Sequence, residues 1–190
     1  MTSHHQDLAV VEEIALECSE GLTIAGQRWT KKKESTDVEQ RSHAKKRLRI
    51  LCFHGFLDNC RTFHLLAPYL VSRLDNDTEL VALDFPGHGL SSHKSLDSPP
   101  MMVINEICFH MRDACRSLQW DDDDGFILIG HSLGSIISVI YAASFPEQVK
   151  DLILLDGYGP DNYEMFEMYM KERRRPYDES SSSQKPKGVV

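Results

Sequence analysis

Phe126-Ile127-Leu128-Ile129-Gly130-His131-Ser132-Leu133-Gly134 is the stretch whose reading decides the fold. The apolar run reads as a buried strand, a serine flanked by glycines follows, and residues 133–145 read as a helix that Pro146 ends. Such a strand, turn and helix hold a serine where its hydroxyl stands clear of the backbone, and Gly130 and Gly134 remove side chains that would collide there. Ser132 is therefore the candidate nucleophile. Average composition gives a G-x-S-x-G by chance only about 0.06 times in a chain of this length, so the motif is informative even before its context is read.

Two further junctions lie upstream in the same order. Leu48-Arg49-Ile50-Leu51-Cys52-Phe53 is a short apolar run that ends in His54-Gly55-Phe56, and Leu80-Val81-Ala82-Leu83 ends in Asp84-Phe85-Pro86-Gly87-His88-Gly89-Leu90-Ser91. Between them, residues 62–74 place Phe63, Leu66, Leu70 and Leu74 at helical spacing, with Pro68 expected to begin or kink the helix. Ile104, Ile107, Cys108, Met111, Cys115 and Leu118 form one helical stripe before the serine. The helix at 133–145 is apolar nearly all round through Ile136, Ile137, Val139 and Ile140, which predicts burial against the sheet. Val149–Leu155 supplies a sixth strand, and residues 14–30 predict two antiparallel strands around Gly21 and Gly26. Strands alternating with helices imply an α/β fold with a mostly parallel central sheet flanked by helices.

These three junctions resemble the α/β-hydrolase superfamily: His-Gly-x after the third strand, Asp-x-Pro-Gly-x-Gly-x-Ser after the fourth, the glycine-flanked serine after the fifth. The likeness runs over roughly residues 14–175. Within the superfamily, residues 54–59, 84–93 and 152–156 look most like the serine hydrolase-like proteins. Epoxide hydrolases share the His-Gly-Phe and Pro-Gly-x-Gly patterns but carry aspartate at the turn, so Ser132 favours acyl transfer. The resemblance implies an oxyanion hole made by the backbone N–H groups of Phe56 and Leu133, the latter at a helix N-terminus that favours an anion. It implies that His54, Gly55, His88, Gly87 and Gly89 shape the loops, that Asp84 organises them through backbone hydrogen bonds, and that His131 packs beside the turn. The acid that orients the catalytic histidine follows the sixth strand in some members, where Asp156 stands; the other reading of Asp156 is a strand-end residue that turns the chain into Gly157. Asp161 is a weaker version of the same idea.

All nine histidines lie at or before His131, so none follows the serine to act as its base. The chain therefore reads as an α/β-hydrolase core over 1–157 that lacks the last two strands, with a mobile polar loop at 31–47. The aromatic and methionine-rich residues 158–177 read as the start of a cap, and 178–190 as a disordered tail. Two functions stay open. One is a serine hydrolase of carboxylic esters or related acyl compounds, impaired by the loss of the histidine region to the residual ~10³–10⁴ over water that such enzymes keep without their triad. The other is a non-catalytic short form that binds a partner.

The resemblance implies a small acyl molecule as the partner, and composition argues against other classes. A length of 190 residues with 41% apolar content fits one domain with a sizeable core, and a net charge of -8 argues against nucleic acid. The acidic run 121–124 reads as a solvated loop, and neither a metal nor a cofactor is expected. No apolar run approaches the ~18 residues of a membrane span. Five cysteines without a C-x-x-C and no leader-like N-terminus point to a reducing, cytoplasmic setting. An apolar sheet edge at Val149–Leu155 is expected to promote self-association.

Overall fold

The computed structural model describes residues 9–32, 47–74, 77–93, 104–121 and 124–157. Residues 33–46 of the expected loop, 122–123 of the acidic run, the expected cap at 158–177 with Asp161, and the tail 178–190 lie outside the described residues. The strands are β1 (Ala9–Glu17), β2 (Thr23–Lys31), β3 (Leu48–Phe53), β4 (Thr78–Leu83), β5 (Phe126–His131) and β6 (Val149–Leu155). The helices are α1 (Leu66–Arg73), α2 (Ile104–Ser117) and α3 (Leu133–Ser144).

The six strands form one sheet in the order β1-β2-β4-β3-β5-β6. β1 and β2 pair antiparallel, as do β2 and β4, while β4, β3, β5 and β6 run parallel. The parallel strands need crossovers, and the helices supply them. Alternation along β3 and β4 assigns the two faces. Ile50, Cys52, Leu80 and Ala82 join Phe63, Ala67 and Val71 of the α1 region in one apolar cluster. Leu51, Phe53, Val81 and Leu83 join Ile107, Met111 and Cys115 of α2 and Ile137 and Tyr141 of α3 in the other. The central strands are apolar on both faces because helices cover both. Arg47, just before β3, is tied to Asp77 and Glu79, both at 3.0 Å.

Four sequence expectations change. The first strand starts at Ala9 rather than near residue 14. Gly21 does sit in the turn, at φ 72°, but Gly26 lies in mid-strand, opposite Ile14 of β1 and Leu83 of β4. There a Cβ would run into the backbone oxygen of Ala82 and come within 2.9 Å of Leu83 Cδ2. The helix expected across 62–74 begins at Leu66, after a 3₁₀ turn at Cys60–Phe63 that Asn59 caps by accepting the Arg61 N–H at 3.0 Å. Pro68 falls in the first turn of α1, where its missing N–H has no intrahelical partner to lose. In α3 the face turned to the sheet carries Gly134, Ser135, Ile137, Ser138 and Tyr141, while Ile136, Val139 and Ile140 are half-buried. Gly134 and Ser138 lie where the helix comes closest to Gly130 of β5, and Ile137 and Tyr141 fill the core beside them.

β6 is the edge of the sheet among the described residues, and it leaves Leu152 and Ile153 exposed. No helix among the described residues is long and apolar enough to cross a membrane. The crowding at Gly26 generates a test of the register: Gly26→Ala is expected to cost about 1–3 kcal/mol from overpacking, read as a lower urea midpoint with an unchanged slope. A midpoint equal to that of the parent would mean that β2 and β4 do not pair as described.

Candidate active site

The site lies at the carboxyl ends of β3, β4, β5 and β6, the side on which open α/β sheets place ligands. Ser132 links β5 directly to α3 and is exposed. Its φ of 52° and ψ of -117° lie outside the regions ordinary residues occupy, a conformation that costs on the order of 1–3 kcal/mol and persists only where its surroundings impose it. The Ser132 N–H donates to the Leu155 carbonyl at the end of β6 at 3.0 Å, and its carbonyl accepts the Ser135 N–H at 2.9 Å. A Cβ on Gly130 would collide with the Gly134 carbonyl, and one on Gly134 with the backbone oxygen of Phe53. Both glycines are required by the close approach of α3 to β5 and β3.

Leu133 is buried and is the first residue of α3, so its N–H is among those with no partner inside the helix. Gly55 runs alongside: a Cβ there would stand 3.4 Å from Ser132 Cβ and 3.3 Å from His131 Nδ1. Phe56 is next in the chain, its ring exposed and 6.5 Å from that of His88. The turn residue Ser132 and the segment 55–56 are thus brought together, with the N-terminus of α3 beside them.

Two buried polar side chains hold the loops. His54 is fully buried. Its Nδ1 lies 2.7 Å from the Gly55 carbonyl and its Nε2 3.0 Å from the Phe85 nitrogen. The carbonyl can only accept and the N–H can only donate, so Nδ1 carries the proton and Nε2 is the acceptor. Burial, helped by the adjacent His88, holds the imidazole below its ordinary 6.5 against the opposing pulls of Gly55, Asp84 and Asp58. The Asp84 carboxylate accepts the Cys60 N–H at 2.6 Å and the Leu90 N–H at 2.8 Å. Ser91 completes the brace by donating to the Asp84 carbonyl at 2.7 Å and accepting the Ala25 N–H at 2.9 Å. Gly87 and Gly89 have left-handed backbones, and a Cβ on Gly89 would strike the Asp84 carboxylate.

The remaining candidates are less engaged. His88 Nδ1 is 3.2 Å from the Pro86 carbonyl, while its Nε2 and His131 Nδ1 are buried without a hydrogen-bond partner. Asp156 is exposed, has φ 54°, and follows the Leu155 carbonyl that holds Ser132. A Cβ on Gly157 would come within 2.8 Å of Ser135 Cβ and 3.1 Å of the Ser132 carbonyl oxygen. Sequence reading assigns no role to Asp58, whose carboxylate accepts the Thr62 hydroxyl and the Asn59 N–H. Burial pushes the Asp58 carboxyl up, but those bonds and the fields of His54 and His131 outweigh it and leave it lowered. Its only signal in the sequence is the spacing Asp58-Asn59-x-x-Thr62, which suits a local side-chain cap.

Comparison with known proteins agrees with this architecture. The family described as alpha/beta hydrolase fold matches residues 49–179. A serine hydrolase-like protein of Danio rerio is 39% identical over 128 residues, which are 66% of this chain and 36% of the relative. One from Dictyostelium discoideum is 34% identical over 148 residues, 78% of this chain and 36% of the relative. The chain thus spans about a third of the length of these relatives. Among solved structures, epoxide hydrolase VrEH1 from Vigna radiata superposes with a TM-score of 0.62 at 19% identity, over 85% of this chain and 46% of its own. A thioesterase domain from the curacin biosynthetic pathway gives 0.58 at 23%, over 88% and 56%.

The burial of His54 generates a pH prediction. Unfolded, this imidazole takes a proton near 6.5; folded, it resists until a lower pH. Below 6.5 the unfolded chain therefore binds more protons, and stability falls with pH through that window after a plateau above about pH 7.5. Urea midpoints from about pH 8 to pH 5 should show the decline, and His54→Asn should flatten it. An equal decline in the variant would place the titrating group elsewhere.

Proposed function

The chain belongs to the alpha/beta hydrolase fold family, and on that premise we propose that it is built as a serine hydrolase in which Ser132 attacks carboxylic esters or related acyl compounds. The observation that carries this reading is the exposed Ser132 in a strained left-handed turn between β5 and α3. A serine without a functional demand relaxes out of such a conformation or gives way to glycine.

In this reading the Ser132 Oγ adds to the substrate carbonyl carbon, and negative charge gathers on the carbonyl oxygen. The Phe56 and Leu133 N–H groups receive it, the second with support from the dipole of α3. Removing one such donor costs roughly 10²–10³ in rate in serine hydrolases, which explains a loop as heavily braced as the one that carries Phe56. A base takes the Ser132 proton and passes it to the leaving oxygen or sulfur, so the alcohol or thiol departs; the base then deprotonates water, which adds to the acyl-serine and releases the carboxylic acid, the proton returning to Ser132.

His54 does not serve as the base, because a proton on Nε2 would face the Phe85 N–H, donor against donor. Its place is structural, and Asp84 shares it. The exposed, left-handed Asp156 fits the strand-end role better than that of the acid, since it directly follows β6 and leads into Gly157, where a side chain would crowd the turn. The base that takes the Ser132 proton is drawn from neither.

Exposure of the folded chain to a fluorophosphonate, read as intact mass, tests the assignment. One adduct that maps to Ser132 and is absent from Ser132→Ala is expected, with circular dichroism unchanged in the variant. An adduct that persists in the variant, or no adduct even with added imidazole as an external base, would remove Ser132 from the role.

A further inference from the structure

Among the described residues, Glu20, Leu57, Gln119, Ser132 and Asp156 have a left-handed backbone without being glycine. All of them are polar except Leu57, which has φ 55° and is 80% exposed. Leucine is badly suited to that conformation, since its Cβ crowds the backbone and its side chain offers no hydrogen bond to offset the crowding. Exposure also removes the compensation open to a strained core residue, which is burial of its apolar surface.

The conformation is imposed by a tight turn. The Asp58 N–H donates to the Gly55 carbonyl at 3.4 Å, so Phe56 and Leu57 take the two central places. A left-handed backbone at the second of these is ordinarily supplied by glycine or asparagine. The chain beyond the turn is held: Asp58 accepts the Asn59 N–H and the Thr62 hydroxyl, and the Cys60 N–H donates to Asp84. The turn also begins beside the nucleophile, because a Cβ on Gly55 would stand 3.4 Å from Ser132 Cβ. Phe56 is 55% exposed, so a braced turn whose first residue flanks Ser132 carries two large apolar side chains in water. Placing the Phe56 N–H does not require a leucine after it; glycine would hold the same turn with less strain. What a glycine would not supply is a side chain for a ligand to touch.

We propose that Leu57 is a specificity-determining residue of the site, which with the Phe56 ring receives the apolar chain of the substrate's acyl group and favours acyl groups of several carbons over acetyl. This rests on the reading of Ser132 as the nucleophile. Contact with such a chain removes apolar surface from water on both partners. Neither side chain carries a charge or a polar atom, so a charged acyl group would lose hydration there without a compensating bond.

Acylation of the full chain by p-nitrophenyl acetate and p-nitrophenyl octanoate tests the proposal. Each rate is taken as the excess over Ser132→Ala and divided by that ester's own hydrolysis in buffer, with the acyl adduct read as intact mass. The octanoate-to-acetate ratio is expected to be about tenfold or more in the parent chain. Leu57→Gly keeps the left-handed turn and removes the side chain; it should lower the ratio severalfold while leaving the urea midpoint at or above that of the parent. Leu57→Met should retain the ratio, and so should Val11→Thr, a change at an exposed apolar residue of β1, at the far edge of the sheet from β5 and β6. A parent ratio near one, a ratio that survives Leu57→Gly, or a loss that falls equally on both esters in that variant would overturn the role of Leu57 and leave Ser132 as the nucleophile. No Ser132-dependent acylation by either ester would remove both.

Discussion

The rest of the structure depends on how closely α3 can come to the sheet. The strand β5 runs straight into the helix through Ser132, so the helix axis must begin almost on top of the strand it has left. Gly130 and Gly134 make that possible: a Cβ on either would overlap backbone atoms, of Gly134 in one case and of Phe53 in the other. Backbone cannot give way as a flexible side chain can, and the constraint passes along α3. Ser135 and Ser138 are buried at the close approach, and Ser135 Oγ donates to the Gly130 carbonyl at 2.8 Å. The larger Ile136, Val139 and Ile140 are displaced to the flanks.

A helix held this close fixes one side of the site, and the other side is fixed by burial of two groups that ordinarily prefer water. His54 and Asp84 are almost fully enclosed, and each spends its polar atoms on backbone of a different loop. Between them they tie the segment after β3 to the segment after β4, and Ser91 ties the second to β2. Leaving a buried polar group unpaired costs about 1–3 kcal/mol, more for a charge, so alternative loop shapes that break these bonds are disfavoured. The segment bearing Phe56 is consequently placed by interactions beneath it, and its exposed ring contributes little to its own position.

Much of this was legible because the residues concerned admit one reading. Glycines around a serine after an apolar strand mark the turn, and the apolar runs of β3, β4 and β5 mark strands buried on both faces. Gly26 was misread because a glycine that makes room for a neighbouring strand carries the same letter as one that makes a turn; only the pairing with Leu83 separates them. The start of α1 was displaced because Asn59 caps a short 3₁₀ turn first, a local bond that helical spacing does not register. The partners of His54 and Asp84 were beyond reach for a different reason. The partners that join one loop to the other lie 31 and 24 residues away in the chain, and sequence periodicity carries no information over such separations.

Rigidity of this kind has a direct chemical consequence. Backbone donors stabilise a developing oxyanion to the extent that they already point at it, because dipoles that must reorient during the reaction lose much of the benefit. The two candidate donors belong to independent units: Leu133 to a helix positioned by glycine contacts, Phe56 to a loop positioned by buried hydrogen bonds. Neither constraint follows from the other, yet a Cβ on Gly55 would stand in ordinary contact with Ser132 Cβ. Convergence of two separately enforced backbone segments on one exposed, strained serine is costly to maintain, and a sheet that needed only to fold would shed it. Under the proposed reading, the strain at Ser132 is stability given up at one residue while the candidate donors around it stay fixed.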